Sequence, residues 1–247
     1  MSSYFEFNGV KSSDMGLVIE RVRPLYSPKK KITTHQVPGR SGDLHTWDGS
    51  FENYPISYRC WFKKPSHYEN MALLTHEILE WLSSAPMGAE LRDSYDEMVT
   101  RKASYIGGAE IENIRNVYGR FTITFDCDPR AFIFSDSEYE ARKDFPAVLI
   151  NHTPFPAKPL IEVTGAISGS VVVGNTTITI VFRSYERSTI IIDCELQEAW
   201  AIVDGVAVSQ NQYIGLQNWP IIGPGTTEVE VTGGIESAVI KPRWWTL

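Results

Sequence analysis

Residues 24–62 constrain the fold most, because they join a segment that cannot be helical to segments typical of β-strands. They read PLYSPKKKITTHQVPGRSGDLHTWDGSFENYPISYRCWF. Pro24 and Pro28 fix φ and remove two backbone donors, which excludes a helix or a central strand there. A short extended run over residues 32–37 follows, then a turn signal at 38–42. Residues 47–49, Trp-Asp-Gly, predict a second turn.

Residues 54–62 alternate with the period of a β-strand, which predicts one buried face. Together with the preceding residues, they indicate an extended arm that leaves the domain, turns and returns. Loops this long and poor in core residues are uncommon in compact domains. The free strand edges of such an arm suit pairing with another copy of the protein, and an ordinary surface hairpin is the alternative. The predicted oligomer-interface residues are Pro24, Pro28, Ile32, Val37, Pro38, Gly39 and Arg40.

One helix is predicted, after Pro65. Ser66 as N-cap and Glu69 three residues later form a capping box, and Pro86 ends the helix. Its apolar stripe should cover a sheet, with contact to a partner subunit as the alternative. The stripe consists of Met71, Leu74, Ile78, Trp81 and Leu82.

The two halves of the chain predict two β-rich domains. Strands are expected at 4–7, 16–22, 54–62, 89–92, 101–106 and 119–127, so residues 1–130 form a β-rich domain with one helix and the arm. Residues 131–159 are rich in proline and form a connecting segment. Short strands then follow at 160–163, 170–173, 176–182, 189–193, 199–203, 206–208, 226–231 and 237–241. Turn signals such as Asp204-Gly205 and Gly233-Gly234 separate them, which predicts an antiparallel β-sandwich over 131–247.

The charge distribution argues against general affinity for nucleic acid. Net charge is −7 over 247 residues; residues 1–130 carry 16 Lys+Arg against 17 Asp+Glu, and residues 131–247 carry 7 against 13. A nucleic-acid-binding protein needs a basic face. The basic cluster Arg21, Arg23, Lys29, Lys30 and Lys31 is either a solvated loop or a binding patch.

The sequence contains no apolar run long enough to cross a membrane and no signal-peptide pattern at its start, which predicts a product made and kept in the cytoplasm. The three cysteines, Cys60, Cys127 and Cys194, are scattered within strand patterns and predict buried free thiols. Cys127 lies between two aspartates, which disfavours a thiolate nucleophile.

Motifs for catalysis are missing from the sequence. A metal cluster of His45 with Asp43 and Asp48 is conceivable, but a polar turn explains the same residues. The pairs Glu110/Glu112 and Glu195/Glu198 do not by themselves indicate a glycosidase, because that chemistry depends on separation across a cleft. We therefore predict no catalytic residue, no cofactor and no metal.

Tryptophans crowd the last part of the chain. Trp219, Trp244 and Trp245 are candidates for contact with a glycan or a partner, because sugar-binding sandwiches stack sugars on exposed rings. Trp244 and Trp245 should point to opposite faces of a strand, so at most one need be core. Packing of the sandwich or the domain junction is the alternative.

Several stretches together resemble the distal tail protein (Dit) family of siphophages and related prophages. They are NGVKSSDMGLVIERVRP, SPKKKITTHQVPGRSGDL, the strand YPISYRCWF, RDSYDEMVTRKASYI, RFTITFDCDPR, PAKPLIEVTG, IIIDCELQEA and KPRWWTL. Their order and spacing, rather than any one of them, carry the resemblance, which covers nearly the whole chain.

The resemblance implies a structural hub rather than an enzyme. It implies a hexameric ring of first domains around the tail channel, with the tail tube protein on one face and a tail-associated fibre or lysin protein on the other. It also implies a galectin-like or jelly-roll second domain that projects outward and can carry receptor-binding proteins, and a location at the virion tail tip. The first alternative function is a carbohydrate-binding adhesion module for the host surface, and the second alternative is a hydrolase.

Overall fold

The computed structural model describes residues 3–20, 26–66, 68–133, 144–182 and 188–247. The protein is mainly β, as predicted, with one α-helix and one short 3₁₀ helix in this part of the chain. The chain divides into two compact units, which are described separately. Unit 1 comprises residues 1–131 with Leu247, and unit 2 comprises residues 132–246.

Unit 1 is built on one antiparallel sheet and a separate two-stranded ribbon. Its elements are β1 Phe5–Phe7, β2 Val10–Lys11, β3 Val18–Ile19, β4 Lys30–His35, β5 Leu44–Phe51, β6 Tyr54–Lys63, α1 Met71–Ser84, β7 Ala89–Asp93, β8 Asp96–Tyr105, β9 Glu112–Ile114 and β10 Tyr118–Ile133. The sheet runs β2-β1-β7-β8-β10-β6-β3, β9 pairs with β10, and β4 and β5 form the ribbon.

A ten-residue antiparallel pairing joins β6 to β10 in the unit 1 sheet. Both strands alternate between buried and solvent-facing residues, as predicted for 54–62. Phe125 of β10 is fully buried and packs its ring against Phe5, Phe7 and Tyr58. The period-two pattern thus places one face of each strand in the core.

Helix α1 covers this core with the predicted stripe. Met71, Leu74, Ile78 and Leu82 are buried, and Trp81 packs partly buried beside them. The predicted start is wrong: the N-cap is Asn70, whose side chain accepts a hydrogen bond from the Leu73 N–H at 3.1 Å. The helix therefore begins after Ser66 and Glu69, since Asn serves as an N-cap as well as Ser does.

Unit 2 contains an eight-stranded antiparallel sheet, β11 to β18. The elements of the unit are β11 Ala147–Asn151, β12 Leu160–Val173, β13 Thr176–Ile180, β14 Ser188–Asp193, β15 Glu198–Val203, β16 Val206–Ser209, the 3₁₀ helix Asn211–Tyr213, β17 Ile214–Gly215, β18 Gly225–Lys241 and, outside this sheet, β19 Trp245–Thr246. The main order is β11-β18-β12-β14-β15-β16, with β13 between β12 and β17.

Two long strands replace four predicted short ones. Residues 160–163 and 170–173 belong to the single strand β12, and 226–231 and 237–241 belong to β18. The predicted turn at Gly233-Gly234 is wrong, since both glycines lie inside β18 beside a register shift near Gly165 and Gly169 of β12. A Cβ at Gly169 would lie 2.5 Å from the Thr232 carbonyl oxygen, so the bend needs glycine there. Both halves of β12 contribute to one core, as in a sandwich.

The proline-rich segment 131–159 is more than a connection. β11 lies within it and pairs with β18, while residues 134–143 lie outside the described residues. The Asp204-Gly205 turn is confirmed: it joins β15 to β16, with φ of 51° and 79°. No helix among the described residues is long and apolar enough to cross a membrane.

Candidate functional site: the exposed arm hairpin

The predicted arm is a β-hairpin that forms its own two-stranded sheet. Ile32 pairs with Trp47, Thr33 with Thr46, Thr34 with His45 and His35 with Leu44. All six residues of β4 and the first six of β5 are exposed. Neither strand shows the alternating burial of β6, so the hairpin presents both faces to solvent.

The loop at the tip follows from its glycines. Gly39 and Gly42 have φ of 80° and 83°, and the Arg40 N–H donates to the Val37 carbonyl at 3.1 Å. These left-handed positions favour glycine. The Pro-Gly segment therefore reverses the chain, as predicted.

The second predicted turn is a bulge inside β5. Lys30 pairs with Phe51 and Ile32 with Trp47, so β5 carries extra residues there, and Gly49 has φ of 91°. The Asp48 carboxylate accepts hydrogen bonds from the Ser50 hydroxyl at 2.6 Å and the Ser50 N–H at 2.8 Å. These bonds lower the pKa of Asp48, although the group is fully exposed. A bulge increases the local twist without ending the strand, which explains why a turn signal lies within one.

The base of the hairpin is held by contacts within the hairpin itself. The Lys30 ammonium lies 4.1 Å from the centroid of the Trp47 ring, and that ring meets Phe51 edge to face at 5.4 Å. The Trp47 indole N–H donates to the Ser50 carbonyl at 2.6 Å. An isolated two-stranded ribbon is marginally stable in water, so these contacts help it to keep its shape.

The arm exposes more apolar surface than a solvated loop needs. Ile32 is 50% exposed, Val37 42%, Leu44 41% and Trp47 44%. The predicted interface residues do not include Trp47 and Leu44. Their position on the strand that returns from the tip of the arm was the signal that could have identified them. The edges of the hairpin pair with no other described strand, and exposed apolar side chains beside such edges are typical of surfaces that bind another chain.

The predicted interface residues have different environments. Ile32, Val37, Pro38, Gly39 and Arg40 are exposed on the hairpin, whereas Pro28 is buried within the subunit. Burial removes Pro28 from any surface contact. Pro24, Arg21 and Arg23 lie outside the described residues, while Lys29, Lys30 and Lys31 are exposed.

The polar residues of the arm form cross-strand pairs. The His45 Nδ1 lies 3.2 Å from the Thr34 hydroxyl, and the His35 Nε2 lies 3.4 Å from the Thr46 hydroxyl. Within the described ranges no group of three or more His, Cys, Asp or Glu side chains is placed to hold a metal ion.

The three tryptophans proposed as contacts lie in or against the core of unit 2. Trp244 is 4% exposed, so it offers no ring face to a sugar. Trp245 stacks on Phe155 at 4.2 Å and donates to the Pro156 carbonyl at 2.9 Å. Trp219 is partly buried against the same core. These placements favour the packing alternative.

The cysteines are free and buried, as expected. Burial raises the pKa of Cys60 and of Cys194 to about 12. Neither thiol is therefore ionised near neutral pH, which leaves both without nucleophilic character.

Comparison with known proteins agrees with this architecture. Residues 10–127, which include the whole arm, match the family of the phage tail protein RIFT-related domain. No curated protein sequence matches the chain.

Solved structures match over nearly the full length. The Dit protein of phage SPP1, described as a paradigm of the hub adsorption apparatus in phages that infect Gram-positive bacteria, aligns with a TM-score of 0.64 and 13% identity, covering 97% of this chain and 98% of its own. A chain of the phage P2 baseplate in its activated conformation with Ca aligns with a TM-score of 0.61 and 10% identity, covering 97% of both chains. At these identities the likeness shows a shared fold.

Proposed function

We propose that this chain is a distal tail protein of the Dit type and forms a ring-shaped structural hub at the distal end of a siphophage tail. A phage tail RIFT-related domain over residues 10–127 and a fold shared with a Dit hub protein support this proposal. The ring is a hexamer in which the arm hairpin of each subunit contacts the next. One face of the ring meets the tail tube protein and the other a tail-associated fibre or lysin protein. The hub is not an enzyme.

The observation that carries this proposal is the arm hairpin, a separate two-stranded sheet with exposed apolar side chains on both faces. Among the described residues, no further strand pairs with either edge of this hairpin. A subunit that both donates an arm and receives one makes a head-to-tail contact, and such contacts form a ring when the rotation between neighbouring subunits closes.

The test is the mass of the intact protein in solution by light scattering. We expect six times the subunit mass of 27.9 kDa. A variant with residues 30–51 replaced by a short Gly-Ser linker should be a folded monomer by light scattering and circular dichroism. Val148→Thr, at a side chain of unit 2 that is 48% exposed, is the matched control and should keep the full mass. An intact protein that stays monomeric at high concentration makes the arm an ordinary surface loop.

We propose that residues 1–130 form the ring and that residues 131–247 form a galectin-like domain that folds independently and projects outward, where it can carry a receptor-binding protein. Two compact units with separate hydrophobic cores support this division. A fragment of residues 132–247 should give a β-sheet circular dichroism spectrum and a cooperative melt. An unfolded fragment contradicts independent folding.

The channel is proposed to be neutral or acidic, with the basic cluster of the arm at a protein contact. Each phosphate neutralised by Lys or Arg adds affinity through counterion release, so a basic lumen would hold the passing genome. The near-neutral balance of residues 1–130 supports this. A gel-shift assay at low salt should show no tight binding to duplex DNA. Binding that disappears when Lys29, Lys30 and Lys31 become Ala places the cluster in the channel instead.

A further inference from the structure

The hairpin of β15 and β16 carries a second apolar surface, in unit 2, that the proposed ring does not use. Ile202, Val203, Val206 and Val208 are 58%, 50%, 63% and 41% exposed. No other hairpin of the described part of unit 2 has four large apolar residues exposed over so short a stretch.

The surface arises because the hairpin extends beyond the core of the unit. Ala201 pairs with Val208 and Val203 with Val206, so these four side chains share one face. Ala201 is 7% exposed, whereas Val203 and Val206, one pair further out, are at least half exposed. The face of the sheet that is buried at Ala201 therefore extends to Val203 and Val206, where the rest of unit 2 no longer covers it.

The outer edge of β16 is open to pairing. In the described part of the chain β16 pairs with β15 alone. β16 is only four residues long, but its sequence, Val206 to Ser209, contains no charge, no proline and no bulge, which are the other usual means of blocking an exposed edge. The type I′ turn at Asp204-Gly205 holds the edge in a fixed register.

The charges of unit 2 indicate what kind of chain fits this edge. Its cationic residues in the described ranges are Lys158, Lys241 and Arg243. Each already pairs with a carboxylate, at 3.8, 2.7 and 2.8 Å. Glu198 at the base of the hairpin and Asp204 at its tip are exposed and make no ion pair with any described residue. A second copy of unit 2 would bring further negative charge, whereas a basic partner would complement these two acids.

We propose that β16 is a docking edge for an extended segment of a different protein, added as a further strand. The segment has uncharged apolar residues at alternate positions, which cover Val206 and Val208, and Lys or Arg at its ends, which face Glu198 and Asp204. Backbone hydrogen bonds supply affinity in this mode, and the side chains and charges supply selectivity.

The experiment uses a fluorescent capped peptide, Lys-Val-Thr-Val-Thr-Val-Lys, and the full-length protein. Anisotropy should rise on binding, and hydrogen exchange of the Ala207 and Ser209 amides, which face away from β15, should slow. The same peptide with proline at its centre should not bind. A peptide with glutamate in place of both lysines should bind about tenfold more weakly, since its negative ends would be repelled by Glu198 and Asp204.

Matched protein variants locate the site. The double variant Val206→Thr, Val208→Thr keeps β-branched side chains, so it should fold while binding the peptide about tenfold more weakly. Asp204→Asn keeps a type I′ turn sequence, and should weaken only the peptide with basic ends. Val148→Thr on β11, the opposite edge of the same sheet, should leave binding unchanged.

Four results would overturn the proposal: no binding at millimolar peptide, equal binding of the proline peptide, an equal loss in Val148→Thr, or a fall in the mass of the protein itself in the double variant. The last result would assign the edge to a second copy of the chain. The variant without residues 30–51 should bind the peptide normally, so this test can fail or succeed separately from the proposed ring.

Discussion

The arm hairpin β4–β5 is followed directly in the sequence by β6, which pairs with β10, yet the side chains of the hairpin and of the β6–β10 pair have opposite environments. In β6 every second residue is buried, and the opposing strand and α1 supply its contacts. In β4 no residue is buried. Both segments have β-strand sequences, but only one finds its hydrophobic partner in the same subunit. Strand propensity and burial are therefore separate properties, and a strand without burial depends on its own turn contacts or on another chain.

The largest effect is expected in the β6–β10 pair. Phe125→Ala should destabilise unit 1 by about 3–5 kcal/mol, because it removes a fully buried ring that contacts four other aromatic rings. Urea denaturation followed by circular dichroism measures the change. Thr122→Ala, on the solvent face of the same strand, is the control and should stay within about 0.5 kcal/mol. Equal losses in both variants contradict the one-sided burial of β10.

Unit 2 contains an ion pair between two segments that, like β6 and β10, find their partners in the same subunit. The Arg243 guanidinium donates two hydrogen bonds to Asp193, both at 2.8 Å, and Asp193 is 4% exposed. Arg243→Met should cost about 1–3 kcal/mol, the lower end applying if water screens the partly exposed guanidinium.

The pH dependence of that effect has a definite sign. Burial raises the pKa of Asp193, but the hydrogen bonds from Arg243 and from the Leu196 and Glu195 N–H groups outweigh it, so the pKa is lowered. A lowered pKa contributes stability above the unfolded value of about 3.9, and that stability is lost as the pH falls through the folded value. The difference between wild type and Arg243→Met should therefore shrink below about pH 4 in thermal melts. A difference that stays constant between pH 7 and pH 3 contradicts the assignment.

A smaller effect is expected at the start of α1, which covers the buried side of the sheet. Asn70→Ala should cost about 1 kcal/mol, because the Leu73 N–H loses its acceptor. Ser66→Ala is the matched control, and should have no measurable effect on the melting temperature. If Ser66→Ala lowers the stability and Asn70→Ala does not, the helix is capped by Ser66, as the capping box predicted.

The smallest effect on subunit stability is expected in the arm. Ile32→Thr should change the stability of the subunit by less than about 0.5 kcal/mol, because the side chain is half exposed already. Light scattering should nevertheless show a weakened assembly. If this variant unfolds as readily as Phe125→Ala, the arm packs on its own subunit and the comparison fails.

The sequence predicted elements best where local pattern and burial agree. The alternation of 54–62, the stripe of α1 and the Asp204-Gly205 turn each depend on neighbouring residues alone, and all three are present. The sequence also located the arm and its reversing loop, although Trp47-Asp48-Gly49 suggested a turn where the structure has a bulge. The start of α1 was misplaced because two residues, Ser66 and Asn70, both suit an N-cap.

Local sequence patterns predicted alternating strands such as 54–62, the position of the α-helix and the β structure of the arm, because backbone preference and side-chain period are local properties. The tertiary structure was needed to show that four predicted strands in unit 2 are two long ones bent at glycines, since a Gly-Gly pair suits a turn and a bulge equally well. It also decided that Pro28 and Trp244 are buried while Trp47 and Val206 are exposed. Burial depends on residues far away in the chain, and the sequence pattern around one residue does not contain them.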